Sequence, residues 1–245
     1  MASSAAKSEL TAGERIAARS RAVTLIALGL LAALAWAYLL SDAAMASSTV
    51  PAAIAMWFVM MVAMMIPAVA PTILLYARVH RHSFAAQPPT AAFLAGYLAC
   101  WLGFSVVAAF LQAALQHGGH LVPMAVMLRS PAAGGTVLIA AGLYQWTPAK
   151  DVCLTECRSP GSFLARHFRP GARGAFRLGL IHGAYCVGCC WLLMALLFAA
   201  GVMNLALVAA LTLLVAAEKL LPYGRMLARF GGVLLIVAGV ALLLR

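Results

Sequence analysis

Within the run GLIHGAYCVGCCWLLMALLFAAG, residues 179–201, stand His182, Cys186, Cys189 and Cys190. On a helix of 3.6 residues per turn, His182 and Cys186 are four apart, Cys186 and Cys189 three apart, and Cys186 and Cys190 four apart. Side chains at those spacings share one face, one turn above another. The result is a column of an imidazole and thiols. Thiolates and imidazoles are soft or borderline ligands that suit Cu(I) or Zn(II), whereas calcium and magnesium take oxygen. A lone Cys in an apolar helix is ordinarily a small packing residue. Three within five positions, one turn from a His, favour the metal reading, since polar groups at bilayer depth are functional by default.

A second set of soft donors lies in MWFVMMVAMMIPAVAP, where Met60 and Met64, and Met61 and Met65, are spaced by four. Thioethers bind Cu(I) well and hard cations poorly, and the spacing resembles the MxxxM pattern of Ctr-type copper channels. Methionine also packs well into irregular gaps, so this stripe gains its weight from the Cys-rich helix. Two further pairs are His117 with His120, near Met124 and Met127, and Cys153 with Cys157, spaced by four. Glu156, Asp151, His80, His82 and His167 read as solvated groups. Glu218 is expected to pair with its neighbour Lys219 or with a loop arginine.

The elements that must carry these residues are membrane helices. Of 245 residues, 65% are hydrophobic and only 9% charged, against nearer 25% charged in soluble domains. A span needs about 20 apolar residues. The apolar runs predict an all-α, polytopic helical membrane bundle of about seven transmembrane helices: 22–40, 51–76, 91–115, 131–146, 179–201, 205–221 and 226–244. Residues 1–21 read as a cytoplasmic N-terminal tail, and 22–245 as one transmembrane helical domain. The first apolar run, at 19 residues, exceeds the usual signal-peptide core of about 7–15. An uncleaved first helix is therefore expected, despite the small residues Ala44-Met45-Ala46. Pro67 and Pro71 are expected to kink the second helix. Residues 150–177 read as the longest hydrophilic loop.

With the N-terminus cytoplasmic, fifteen of the 17 lysines and arginines fall on the cytoplasmic side, leaving Arg129 and Arg245 outside. The positive-inside rule favours that orientation and explains the net charge of +11 without a nucleic-acid partner. Cys153 and Cys157 then lie on the reducing side, where thiols stay free.

The segments MWFVMMVAMMIPAVAP, QWTPAKDVCLTECRSP, GLIHGAYCVGCCWLLM and GVMNLALVAALTLLVAAEKLLP resemble the bacterial family of predicted metal-binding integral membrane proteins. The resemblance spans roughly residues 50–225; the His117/His120 pair lies outside its blocks. It implies a metal-linked protein of the bacterial inner membrane, associated with copper.

The sequence thus predicts a multi-pass protein of the bacterial inner (plasma) membrane that handles a soft metal, Cu(I) ahead of Zn(II). It would act as carrier or as supplier to a cuproenzyme. Its ligands would come from His182, Cys186, Cys189, Cys190, Met60, Met61, Met64, Met65, Cys153, Cys157, His117 and His120. Expected partners are the lipid bilayer, a metal chaperone or cuproenzyme, and a second copy of the chain. No P-loop motif G-x-x-x-x-G-K-[ST] and no DKTG segment occurs, so movement would rest on a gradient, proton coupling or ligand exchange. The competing reading is a membrane thiol-disulfide oxidoreductase using Cys186/Cys189 with Cys153/Cys157 as relay. A structural subunit whose soft residues only pack is the third. A binding or transfer protein is favoured over an enzyme.

Overall fold

The computed structural model describes residues 12–41, 49–80, 90–122 and 125–244, with side chains from residue 21 apart from that of His80. Helices dominate: α1 (Ala12–Leu39), α2 (Val50–His80), α3 (Thr90–His117), α4 (Pro131–Tyr144), α5 (Pro148–Arg158), α6 (Pro160–His167), α7 (Gly171–Ala200), α8 (Leu205–Leu220) and α9 (Gly224–Leu243). The chain is helical as expected, with one small addition. Between α3 and α4, β1 (Leu121–Val122) pairs antiparallel with β2 (Met127–Leu128).

Among the described residues, five helices are long and apolar enough to cross a membrane: α1 from Arg21, α2 to Val79, α3, α7 and α9. Their flanks carry exposed apolar side chains such as Leu34, Val107 and Val237, the surface a lipid-facing helix presents. Helices α4, with 14 residues, and α8, with 16, are shorter. At 1.5 Å per residue they reach about 21 and 24 Å, less than the roughly 30 Å hydrocarbon core.

Punctuation in the sequence sets these ends. Ser130 caps α4 by accepting from the Ala133 amide at 3.3 Å, and Pro131 opens the helix. Thr147 does the same for α5 toward Lys150, and Asn204 for α8 toward Leu207. These short polar side chains satisfy amides that a helix leaves open. Gly201, at φ 95°, ends α7 in a conformation that favours glycine.

Two expectations change. Residues 150–177 are not a loop, since α5, α6 and the start of α7 fill them. Lys150, Leu154 and Cys157 recur at helical spacing and are buried, so α5 packs one face inward. The helix α1 also begins within the stretch read as a tail, because residues 14–21 contain no proline and mostly good helix formers. Residues 1–11, Ala44-Met45-Ala46, Arg81, His82, Met124 and Arg245 lie outside the described residues. Helix α2 runs unbroken through Pro67 and Pro71.

Close backbone approach fixes the bundle around α7. A Cβ at Gly179 would collide with the Phe93 carbonyl, and one at Gly96 with the Phe176 carbonyl, so α3 and α7 touch along their glycines. Helices α4 and α9 do likewise: a Cβ at Gly142 would stand 2.6 Å from the Gly232 oxygen, and one at Gly135 2.9 Å from that of Gly239. Small residues of this kind are what let membrane helices meet closely.

Candidate metal centre

Helices α4 and α8 stop at one level of α7, and the thiols stand there. At the end of α4, the Tyr144 hydroxyl donates to the Gly188 carbonyl at 2.5 Å. In the last turn of α8, the Lys219 ammonium donates to the Cys186 sulfur at 2.9 Å. From the other side the Tyr97 hydroxyl of α3 lies 3.0 Å from Cys186 Sγ. The thiols of Cys189 and Cys190 turn back along the helix and donate to the Cys186 carbonyl, at 3.1 and 2.9 Å. Cys157, from α5, brings its sulfur to 4.0 Å from that of Cys189. Four thiols from two helices therefore converge, all buried and all free.

Cys153 sits on the rim of this cluster, half-buried. A Cβ at Gly188 would meet its sulfur at 2.8 Å, so the missing side chain makes room for this thiol against α7. Burial first, then the neighbouring Cys189, push the Cys153 thiol above its ordinary range. Hydrogen bonding with Cys186 and with Cys189, then burial, hold Cys157 well above it. Both groups are thereby kept as neutral thiols until a metal or a base removes the proton.

His182 is buried one turn from Cys186, against the rings of Phe93, Tyr97 and Phe163. Among the described residues, its Nδ1 has no hydrogen-bond partner. An unpaired polar atom in such a setting costs free energy, which a bound ligand would offset.

The methionines Met60, Met61, Met64 and Met65 are all buried in α2. The Tyr97 hydroxyl that touches Cys186 also points to the Met65 carbonyl at 3.4 Å. The methionine turn and the thiols thus meet across one tyrosine, at similar height.

Other candidates are not gathered in. His117 ends α3 exposed, its Nδ1 2.7 Å from the Ala113 carbonyl of its own helix. His120 is exposed in the turn that follows. Tyr97 and His117 are twenty residues apart on one helix, so the two ends lie about 30 Å apart. Among the described residues, no three His, Cys, Asp or Glu side chains form a ready metal cage. In this form the sulfurs hold on to one another, to a carbonyl and to Lys219.

Glu218 corrects an expectation. It pairs neither with Lys219 nor with an arginine: Lys150 Nζ stands 2.7 Å from its Oε2, and Gln145 Nε2 donates to Oε1 at 3.2 Å. Consecutive residues on a helix point about 100° apart and do not face each other. Glu218 therefore turns to α5 while Lys219 turns to α7. Asp151 and Glu156 are engaged rather than simply solvated: Glu156 receives both bonds from Arg166, and Asp151 lies 3.6 Å from Arg229. His167 is half-buried and stacks on Phe163. Lys150 and Lys219, counted among the cytoplasmic charges, are buried partners instead.

Sequence reasoning missed Tyr97 and Lys219. For Lys219 the signal was present: a charged pair within an otherwise apolar run needs partners in the bundle.

The family model described as "PpoB2: Copper chaperone" matches residues 54–242. The matched region contains all four sequence blocks that resembled a copper-linked family. No curated protein and no solved structure matches the chain.

Proposed function

This chain belongs to the copper chaperone family, and on that premise we propose that it holds Cu(I) in the membrane and supplies it to a cuproenzyme. Cys186 and Cys189 bind the metal as thiolates, with Cys157 and Cys190 beside them. His182 and the thioethers of Met60, Met61, Met64 and Met65 serve its approach, and the half-buried Cys153 its exchange with a soluble partner. The chain crosses the bacterial inner membrane seven times from a cytoplasmic N-terminus, the bilayer thinning locally around the short α4 and α8. His117 and His120 face the far side, where they meet metal outside the bundle.

The observation that carries this reading is the convergence of four free thiols from α5 and α7 at the ends of α4 and α8. Soft sulfur donors suit Cu(I) and exclude hard cations, and a buried cluster keeps it from water. Ligand exchange between neighbouring sulfurs then needs no large movement. The thiol-exchange alternative gains no observation of its own.

The test is copper content. Protein purified reduced and without oxygen is expected to take up stoichiometric Cu(I) against a chromogenic chelator, and to release it to an apo-cuproenzyme. The Cys186→Ser/Cys189→Ser variant is expected to bind copper only at background, measured per purified folded chain. Met60→Leu/Met64→Leu should weaken loading, and combining the two sets should add nothing, because each breaks one chain of ligand exchange. Full copper loading of the double Cys variant would end the proposal. So would stoichiometric zinc that Cu(I) cannot displace.

A further inference from the structure

Among the described residues, Lys219 is the one lysine or arginine with a hydrogen bond to a thiol of the cluster, and its surroundings are unusual for a buried lysine. It makes no ion pair with a carboxylate among the described residues; its ammonium donates to Cys186 Sγ at 2.9 Å. Its sequence neighbour Glu218 is committed to Lys150 and Gln145 on another face of α8. The positive charge of Lys219 therefore has a sulfur as its counterpart. Buried charge is tolerated when it is balanced and is strongly destabilising when it is not.

From this we infer that Lys219 selects the charge of the metal: it balances a monovalent ion held by two thiolates and disfavours a divalent one. The inference deepens the reading of the thiols as the Cu(I) site and rests on it. Metal binding requires its Cys ligands as thiolates. Cu(I) between the thiolates of Cys186 and Cys189 carries one net negative charge, which the ammonium cancels. Zn(II) between the same two thiolates is already neutral, so the ammonium would be left as an uncompensated positive charge. Ligand softness does not separate these two metals well, since both accept sulfur. Charge balance in an enclosed site does. Cys189 and Cys190 both donate to the Cys186 carbonyl and so stand as neutral thiols; Cys189 gives up its proton on taking the metal, while Cys190 keeps its own.

The experiment is a paired competition on the full-length protein in detergent, with Cu(I) against a Cu(I) chelator and Zn(II) against a Zn(II) chelator. Lys219→Met keeps length and apolar bulk but removes the charge. It is expected to lower the Cu(I)-over-Zn(II) affinity ratio by about a hundredfold or more, since it unbalances one complex and relieves the other. Lys219→Arg keeps the charge and should hold the ratio within about tenfold, even if both affinities fall. Equal weakening of both metals by Lys219→Met would reduce the lysine to a structural part and overturn the inference. An unchanged ratio would do the same. X-ray absorption on copper-loaded wild type gives a test that needs no variant. Two-coordinate sulfur is expected, and three or four sulfur ligands would overturn the charge count. Failure of the wild type to take up copper would instead sink the underlying reading of the site.

Discussion

Glu218 and Lys219 are neighbours in α8, yet they join different parts of the molecule and face different chemistry. Glu218 meets Lys150 and Gln145 of the α4–α5 corner in a carboxylate-ammonium pair buried on both sides. Lys219 meets a cysteine sulfur of α7. The first contact is a closed account of opposite charges, with nothing left to bind. The second leaves a sulfur that can change partner. Two charged residues in the same apolar run thus divide the work: one ties α5 to the bundle, the other tunes the site that α5 completes through Cys157.

The largest effects should come from the Glu218 side. Glu218→Leu or Lys150→Met alone strands a buried charge, at a cost of about 3–5 kcal/mol. Each should reduce membrane abundance and the unfolding midpoint in detergent sharply. The double variant removes both charges and should recover most of the loss, a strong non-additivity. If the double variant were as poor as the sum of the singles, the contact would not be a closed pair, and the contrast with Lys219 would fail.

An intermediate effect is expected where α3 and α7 meet, because that contact brings Tyr97 to Cys186. Gly179→Ala puts a methyl group into the Phe93 carbonyl. The helices must separate, at about 1–3 kcal/mol, and copper loading should fall with the lost alignment. Gly103→Ala on α3 meets open space and should be neutral or stabilising by up to about 1 kcal/mol. Equal behaviour of the two variants, in thermal unfolding and copper uptake, would show that close approach does not position the thiols.

The helices were legible because apolar length and local punctuation are short-range signals. Ser130-Pro131 and Met203-Asn204 marked ends that the structure keeps, and the face shared by Cys186, Cys189 and Cys190 follows from spacing alone. The partners from other elements were not legible. Cys157 reaches Cys189 across 32 residues, and Lys219 reaches Cys186 across 33, distances at which periodicity carries no information. Helix α5 was hidden by its polar composition. Its start was written in Thr147-Pro148, and its inward face in Lys150, Leu154 and Cys157. The reading of Glu218 failed for a geometric reason: adjacency in a helix sets two side chains apart rather than together.

The smallest effect concerns the two histidine environments. His182 and His117 are both histidines on long apolar helices, but their surroundings differ. His182 is enclosed by three aromatic rings, with Nδ1 unpaired among the described residues. His117 is exposed, with Nδ1 beside its own helix's carbonyl, and His120 follows in the open turn. Exposed substitutions away from packed features usually change stability by less than about 0.5 kcal/mol. His117→Ala/His120→Ala should therefore leave the unfolding midpoint and the copper bound per purified chain unchanged, because no part of the thiol cluster depends on them. His182→Ala should lower copper affinity, since the imidazole stands one turn from Cys186. Its effect on folding should stay modest if filling the space with Leu restores the midpoint but not the affinity. Copper lost from purified His117→Ala/His120→Ala protein would join the two ends of α3 into one site and break the distinction drawn between them. Copper retained in full by His182→Leu would leave the buried imidazole as a packing residue.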